Sequence, residues 1–336
     1  MKNKEYENIS SQNIIRDAKS GRYLFKYVSP DAIQHVLKLN KVSIRFSYTM
    51  FYNDPYELFL QLAEDGDIKY NARALFYYIY ETLPQFPVTC FSRDPSSIVM
   101  WSHYANDHKG ICIGFNEKKL TNQFSAAFIG NVQYINDPMS IKDGVMDYLS
   151  YSGKKTNTKR IIAKALTLAY FSKRKDWQYE KERRIVIQPN EATKIDEKYF
   201  TLEIDANTID YIIFGQETAK EDIIKTRDWA YDNNIKMIFM RNSKYFIEPF
   251  YVAQESIFQW DNLKDEFITK EICRICGEPN PNIQDSICPR CQITPEIENY
   301  VIMQNQYFTL INLGLEKPTI WFEGIDLVGN DLNHLE

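Results

Sequence analysis

Two glutamates two residues apart, Glu180 and Glu182, and two C-x2-C pairs, Cys273/Cys276 and Cys288/Cys291, carry the plainest chemistry in this sequence. Residues 182–188 (ERRIVIQ) read as a strand. Side chains at i and i+2 of a strand share a face, so both carboxylates are expected to point into one site. The competing reading is a solvated strand edge, with the two glutamates beside Lys181, Arg183 and Arg184.

The cysteine pairs call for a metal. A C-x2-C turn presents two thiolates to one ion, and two such turns complete a tetrahedral site. Gly277 and Pro289 suit that turn chemistry. Four closed ligands leave no open position, which predicts a structural zinc ribbon. The ribbon either holds its small domain together or grips a partner, nucleic acid or protein. Cys90 and Cys112 stand alone in apolar runs and read as buried thiols.

Three further segments hold functional side chains: Asn53-Asp54-Pro55-Tyr56-Glu57; Met100-Trp101-Ser102-His103-Tyr104 with Asp107-His108-Lys109-Gly110; and Trp177 through Arg184. Trp101, Tyr104 and Trp177 could stack on a heteroaromatic ring, though such rings are more often core. Asn53-Asp54-Pro55 also reads as a turn capping a helix that starts near Tyr56.

The elements that must position these groups are mixed. Alternation at Val42, Ile44 and Phe46 predicts a strand. Further strands are expected at 87–92, 110–115, 182–188, 199–204, 209–214, 236–240 and 245–252. Helices are expected at 30 onward, behind Ser29 and Pro30, and at 70–82, 98–105, 156–175 and 218–233. No regular βαβ rhythm appears, so the expected class is α+β with a mostly antiparallel sheet, plus a small C-terminal zinc ribbon. The expected organisation is a polar segment at 1–20, an α+β domain at 21–265, the ribbon at 269–294 and an acidic segment at 295–336.

The chain resembles a large group of bacterial proteins, the domain-of-unknown-function family 2971. The resemblance runs over residues 23–240. It rests on Leu24-Phe25-Lys26-Tyr27, Phe51 through Glu57, Cys90-Phe91-Ser92, Met100 through Ala105, His108-Lys109-Gly110, Trp177 through Arg184 and Ile212-Ile213-Phe214-Gly215. That family implies no activity. The Glu-x-Glu pair is in turn similar to the signature of arginine-type ADP-ribosyltransferases. This second resemblance implies an ADP-ribosyltransferase-like fold, NAD as substrate, Glu182 as catalytic carboxylate and Glu180 as its helper. It implies nucleotide contacts from Lys26, Tyr27, Ser92, Trp101, His103, Tyr104 and Trp177, and substrate contacts from Asn53 and Asp54. Lys26 stands where those enzymes carry an arginine, and a lone Ser92 stands where they carry a Ser-Thr-Ser run.

Composition narrows the classes. The 336 residues are 44% hydrophobic with a net charge of −5, which excludes a disordered polyelectrolyte and a uniformly basic nucleic-acid coat. No apolar run reaches membrane-spanning length, the first residues lack a secretory apolar core, and the cysteine usage suits a reducing compartment. Together these predict a cytoplasmic protein with no membrane partner. Residues 154–184 carry 11 Lys/Arg against 3 Asp/Glu, a stretch that could attract phosphates or form a solvated helix face. Three functions compete. The first is an NAD-dependent ADP-ribosyltransferase-like enzyme, as in toxins or phage-defence effectors, acting on protein or nucleic acid. The second is a metal-dependent nuclease using Asp54, His103, His108, Glu180 and Glu182. The third is a non-enzymatic sensor or adaptor that binds nucleic acid or protein through the ribbon.

Overall fold

The computed structural model describes residues 21–57, 85–124, 127–136, 155–244, 246–281 and 285–314, with residues 74, 75, 77, 78, 81 and 82. Those last six are helical, in line with the expected helix at 70–82, whose other residues lie outside the described residues. The chain divides into two compact units after Thr269.

The first unit is α+β and is built on one large, mostly antiparallel sheet. Its centre is β1 (Tyr23–Val28), paired along its whole length with β4 (Ile111–Asn116). Beyond β4 the sheet continues through β11 (Ile209–Phe214), β12 (Lys236–Arg241), β13 (Phe250–Ala253), β14 (Ser256–Asp261) and β15 (Glu266–Lys270). On the other side lie β3 (Val88–Ser92), β2 (Lys41–Ser47), β10 (Tyr199–Asp205) and β9 (Thr193–Lys194). β11 and β12 run parallel, joined by the helix Lys220–Asp232. A separate parallel pair joins β6 (Gln133–Ile135) to β7 (Ser172–Arg174).

Strand β1 was not expected from the sequence, and its packing explains why. Leu24 and Val28 enter one apolar cluster with Ile44, Phe46 and Ile113, while Tyr23, Phe25 and Tyr27 enter another with Trp101, Tyr251 and Trp260. A strand buried on both faces shows no polar alternation. Each such side chain withdrawn from water contributes roughly 1.5–3 kcal/mol. The strand at β2 was legible because only one face is buried: Val42, Ile44 and Phe46 point in, Lys41 and Arg45 point out.

The sheet forks at β3. This strand meets β1 at one register position, Phe25 with Ser92, and β2 at one, Ser47 with Val88. Its full length instead pairs with β8 (Glu182–Val186), which also pairs with β5 (Phe128–Asn131). Lys26 spans the gap: its Nζ donates to Thr89 Oγ1 at 2.8 Å and to Cys90 O at 2.9 Å. Burial brings this amine down to about 8, since no carboxylate bonds it. The fork therefore gives Lys26 a sheet-pinning role.

The long helix is shorter than its sequence signal. Lys155–Phe171 is helical, with Ala165, Leu166 and Ala169 buried and Ile162 partly so, but β7 and a 3-10 turn (Lys175–Glu180) follow. Nor is residues 154–184 one basic face. Lys173, Arg183 and Arg184 are buried among carboxylates, and Arg174 pairs with Asp176 at the surface. Among the described residues no helix is long and apolar enough to cross a membrane.

The second unit contains the four cysteines, followed by helices at Pro295–Gln304 and Gln306–Asn312. Residues 315–336, most of the acidic segment, lie outside the described residues.

Candidate active site

The fork delivers five charged side chains to one buried point. Strand β8 starts with Glu182-Arg183-Arg184, and all three are buried, Arg184 completely. Glu182 and Arg184 share a face. Arg183 points the other way, where its Nε meets Glu117 Oε1 at 2.5 Å. The solvated-edge reading of this run is therefore overturned.

Arg184 uses all five of its N–H donors. Nε donates to Glu182 Oε1 at 2.7 Å and Nη2 to Glu182 Oε2 at 3.2 Å. Nη1 and Nη2 reach Glu57 Oε2 and Oε1 at 2.9 and 2.6 Å, and Nη1 also donates to Tyr170 O at 2.9 Å. This is a double fork in which one guanidinium holds two carboxylates.

Lys173 comes from β7. Its Nζ lies 2.7 Å from Glu180 Oε2 and 3.5 Å from both Glu57 Oε1 and Glu182 Oε2, with the Trp177 ring centre 4.4 Å away. Glu180 Oε1 accepts from Tyr104 Oη at 2.6 Å, and Tyr104 Oη in turn accepts from Asn53 Nδ2 at 3.4 Å. Tyr104 sits on the helix Ile98–Tyr104, capped by Ser97.

The two glutamates converge, but not by strand alternation. Glu180 ends the 3-10 turn, Lys181 is left-handed with φ +43°, and only Glu182 is in the strand. The left-handed residue turns the chain so that both carboxylates reach Lys173. Lys181 is held there by its ammonium, which pairs with Asp94 Oδ2 at 2.7 Å and bonds Asn262 Oδ1 at 3.1 Å.

Environment separates the pair. Burial alone would raise the Glu182 carboxyl, but the Arg184 and Lys173 cations outweigh it and hold it down to about 2. Glu180 goes the other way. Burial and the Glu182 carboxylate push it up, and Lys173 offsets them only in part. Lys173 keeps its proton firmly: burial disfavours the charge, yet Glu182, Glu180 and Glu57 together raise it. Three carboxylates against two cations leave the cluster one negative charge in excess when all are ionised. Tyr104, partly buried beside Glu180, is raised and stays a donor.

This separation has a measurable consequence. A carboxyl lowered from 4.5 to about 2 contributes stability that is fully present above pH 4.5 and lost as pH falls toward 2. Urea unfolding across pH 2–6 is expected to show that loss in the native chain and a flatter acid limb in Glu182→Gln. Equal slopes in both would contradict it.

The other expected contacts are distributed as follows. Tyr104 and Asn53 join the cluster directly, and the half-buried Trp177 forms its edge. His103 is exposed, with Nδ1 3.5 Å from Tyr179 Oη. Trp101 has no exposed surface; its Nε1 donates to Pro95 O and its ring packs on Tyr27, so it is core and offers no platform. Tyr27 lies on the opposite face of β1 from Lys26 and donates to Asp94 O. Ser92, buried, donates to Glu180 O at 2.7 Å and so anchors the turn instead of a ribose. Cys90 is raised by burial and stays a thiol, donating to Tyr52 Oη at 3.4 Å.

His108 stacks on Trp101 in a loop where Asn106, Asp107 and His108 are all left-handed. Gly110 ends that loop against the backbone of Val28, where a Cβ would lie 2.1 Å from Val28 O. Asp54, His103, His108, Glu180 and Glu182 thus do not gather on one point. Among the described residues, the tight group of three or more His, Cys, Asp or Glu ligand atoms is the four cysteines. Two cavities, of about 430 and 490 Å³, are lined by residues outside the carboxylate cluster.

Residues 100–185 match the model of a family described as Protein of unknown function (DUF2971). No curated protein and no solved structure matches the chain. The matched stretch runs from the helix that carries Tyr104 to the middle of β8. It contains Lys173, Trp177, Glu180, Glu182 and Arg184, but neither the Asn53–Glu57 turn nor the four cysteines of the second unit.

Sequence spacing did not assign Glu57, Lys173 or Arg184 to the site. The available signal was the apolar run at 185–187 directly after Arg184, which marks a buried strand whose leading charges must be paired.

The four cysteines of the second unit fit a zinc ion. None is disulfide-bonded, and all four Sγ atoms lie within 4.8 Å of one another. Cys276 and Cys288 Sγ are 3.8 Å apart, the edge of a tetrahedron with Zn–S bonds of about 2.3 Å. Gly277 follows the first knuckle at φ +72°, the left-handed position that such a turn requires. The Cys288 N–H donates to Cys273 Sγ at 3.2 Å, as a metal-bound thiolate needs. The purified chain is expected to carry one zinc ion, and chelation is expected to open residues 270–314 to protease while the first unit stays protected. An unchanged digestion pattern after metal removal would contradict a structural site.

Proposed function

We propose that the first unit is an enzyme that breaks the N-glycosidic bond of NAD, an ADP-ribosyltransferase-like activity, with Glu180 as its proton-handling carboxylate. What supports this reading is the pair itself. Two buried carboxylates share one lysine, one is pushed up and one is held down, and that divergence is how acid–base roles are separated within a pair.

The chemistry follows from the roles. As the bond between the ribose carbon and the nicotinamide nitrogen breaks, its electron pair leaves with nicotinamide and positive charge builds on the carbon. Glu182 stays ionised and supplies fixed negative charge. The acceptor, water at minimum, attacks the carbon and gives its proton to Glu180, which is a stronger base than an ordinary carboxylate because its environment raises it. Lys173 and Tyr104 hold Glu180 from both of its oxygens. Trp177 provides a ring at the edge for stacking.

Glu180 is the sharper test residue. Glu182 is fully clasped by Arg184, so its removal disturbs the fold as well as any chemistry. The test is nicotinamide release from NAD by the full chain beside Glu180→Gln. Release that falls at least a hundredfold in the variant is the expected result. No release by the native chain would refute the proposal.

A further inference from the structure

Asp54 carries an unmet hydrogen-bonding need on the turn between Asn53 and Glu57, both of which bond residues of the cluster. Its side chain is buried, with the residue 4% exposed. One carboxylate oxygen, Oδ1, accepts from the Tyr56 N–H at 2.9 Å. The other, Oδ2, is buried and has no partner among the described residues. An unpaired buried hydroxyl, such as Thr49 or Thr226, is tolerable. An unpaired buried carboxyl oxygen is more costly, because a stronger acceptor is taken from water with no donor to replace it. Such a group persists where a ligand completes it.

The turn that carries Asp54 belongs to the carboxylate cluster at both ends. Asn53 Nδ2 donates to Tyr104 Oη, which donates to Glu180, and Glu57 takes two bonds from Arg184. The Glu57 N–H closes the turn on Asp54 O at 3.2 Å. A metal ion does not suit the Asp54 oxygen, since among the described residues only the cysteines gather three or more such ligand atoms. What suits it is a donor. A carboxyl acceptor on the same turn as an amide that bonds a phenol is the equipment that binds neighbouring hydroxyls of a sugar, each of which donates once and accepts once.

We infer that Asp54 Oδ2, with Asn53 and Tyr104, binds the ribose hydroxyls of the substrate. This rests on the NAD-cleaving reading and deepens it, because it names the part of the substrate that the turn recognises. Asp54 is a binding residue that offers its oxygen to the sugar, while Glu180 deals with the reacting carbon.

Thermal melting of the full chain tests this with nicotinamide riboside and nicotinamide as probes. Asp54→Asn keeps the turn bond at Oδ1 and replaces the unpaired oxygen with a neutral amide. Without ligand it is expected to melt no lower than the native chain. Asp54→Ala also removes the turn bond and is expected to melt lower, which calibrates the turn's own contribution. The riboside is expected to raise the melting temperature of the native chain and to bind Asp54→Asn about tenfold more weakly, whereas nicotinamide gives no Asp54-dependent shift. The inference is overturned if unliganded Asp54→Asn melts as low as Asp54→Ala. It is also overturned if the riboside binds both forms equally, or if it does not bind the native chain. Asp54-dependent riboside binding by a chain that leaves NAD uncleaved would sink the proposed reaction and leave this site standing.

Discussion

Arg184→Met is expected to lower stability by about 3–5 kcal/mol, the usual loss when one partner of a buried ion pair is removed. For a unit of this size that is a fall of about 10 °C in melting temperature. The loss comes from what remains. Glu57 and Glu182 stay buried with Lys173 alone to balance them, and Tyr170 O loses its donor. Arg184→Lys is expected to recover little, because an ammonium cannot reproduce five donors in a planar fork shared by two carboxylates. Adding Glu57→Gln to Arg184→Met should restore part of the loss, since one stranded charge goes with the cation. Melting curves of these variants test the clasp. An Arg184→Lys protein that melts within 2 °C or so of the native chain would show that the double fork contributes little.

Glu180→Gln should divide the two effects: a smaller loss of stability than Arg184→Met, because Lys173 keeps Glu57 and Glu182 as partners, and a large loss of activity. Glutamine keeps an oxygen to accept from Tyr104, and losing one negative charge brings the cluster from an excess of one to neutrality. A general base typically contributes a factor of 10²–10⁴, so turnover should fall by that much. The pH profile carries the sign. Glu180 works deprotonated and its carboxyl is raised, so the rate should climb with pH at values above the ordinary carboxylate range of about 4. The Tyr104 hydroxyl favours the ionised form of Glu180. Tyr104→Phe should therefore move the rising limb to still higher pH. A limb that moved down, or an unchanged rate in Glu180→Gln, would remove Glu180 from the chemistry.

The parts of this molecule that sequence made legible are those set by local spacing. The cysteine knuckles needed only C-x2-C twice and a glycine. Strand β2 showed itself through its half-buried alternation. The Glu180/Glu182 pair was visible too, although a left-handed Lys181 brings the two together and strand geometry does not. The rest depends on distant pairing. Glu57 and Arg184 are 127 positions apart and meet only because β8 pairs with β3 off the main strand order. Lys173 sits in a run rich in lysine and arginine, where composition points outward and the fold points inward. Trp101 and Tyr104 lie three positions apart on one helix face, where Trp101 is core and Tyr104 packs at the edge of the same cluster with its hydroxyl on Glu180. Residue type alone could not separate those two roles.

The most direct measurement is nicotinamide release from NAD by the full-length chain, run in parallel with Glu180→Gln and with melting curves of both. The account predicts release by the native chain, a loss of at least a hundredfold in the variant, and a variant that still melts cooperatively as a folded protein. A native chain that leaves NAD intact, or a variant that turns it over at the native rate, would contradict it.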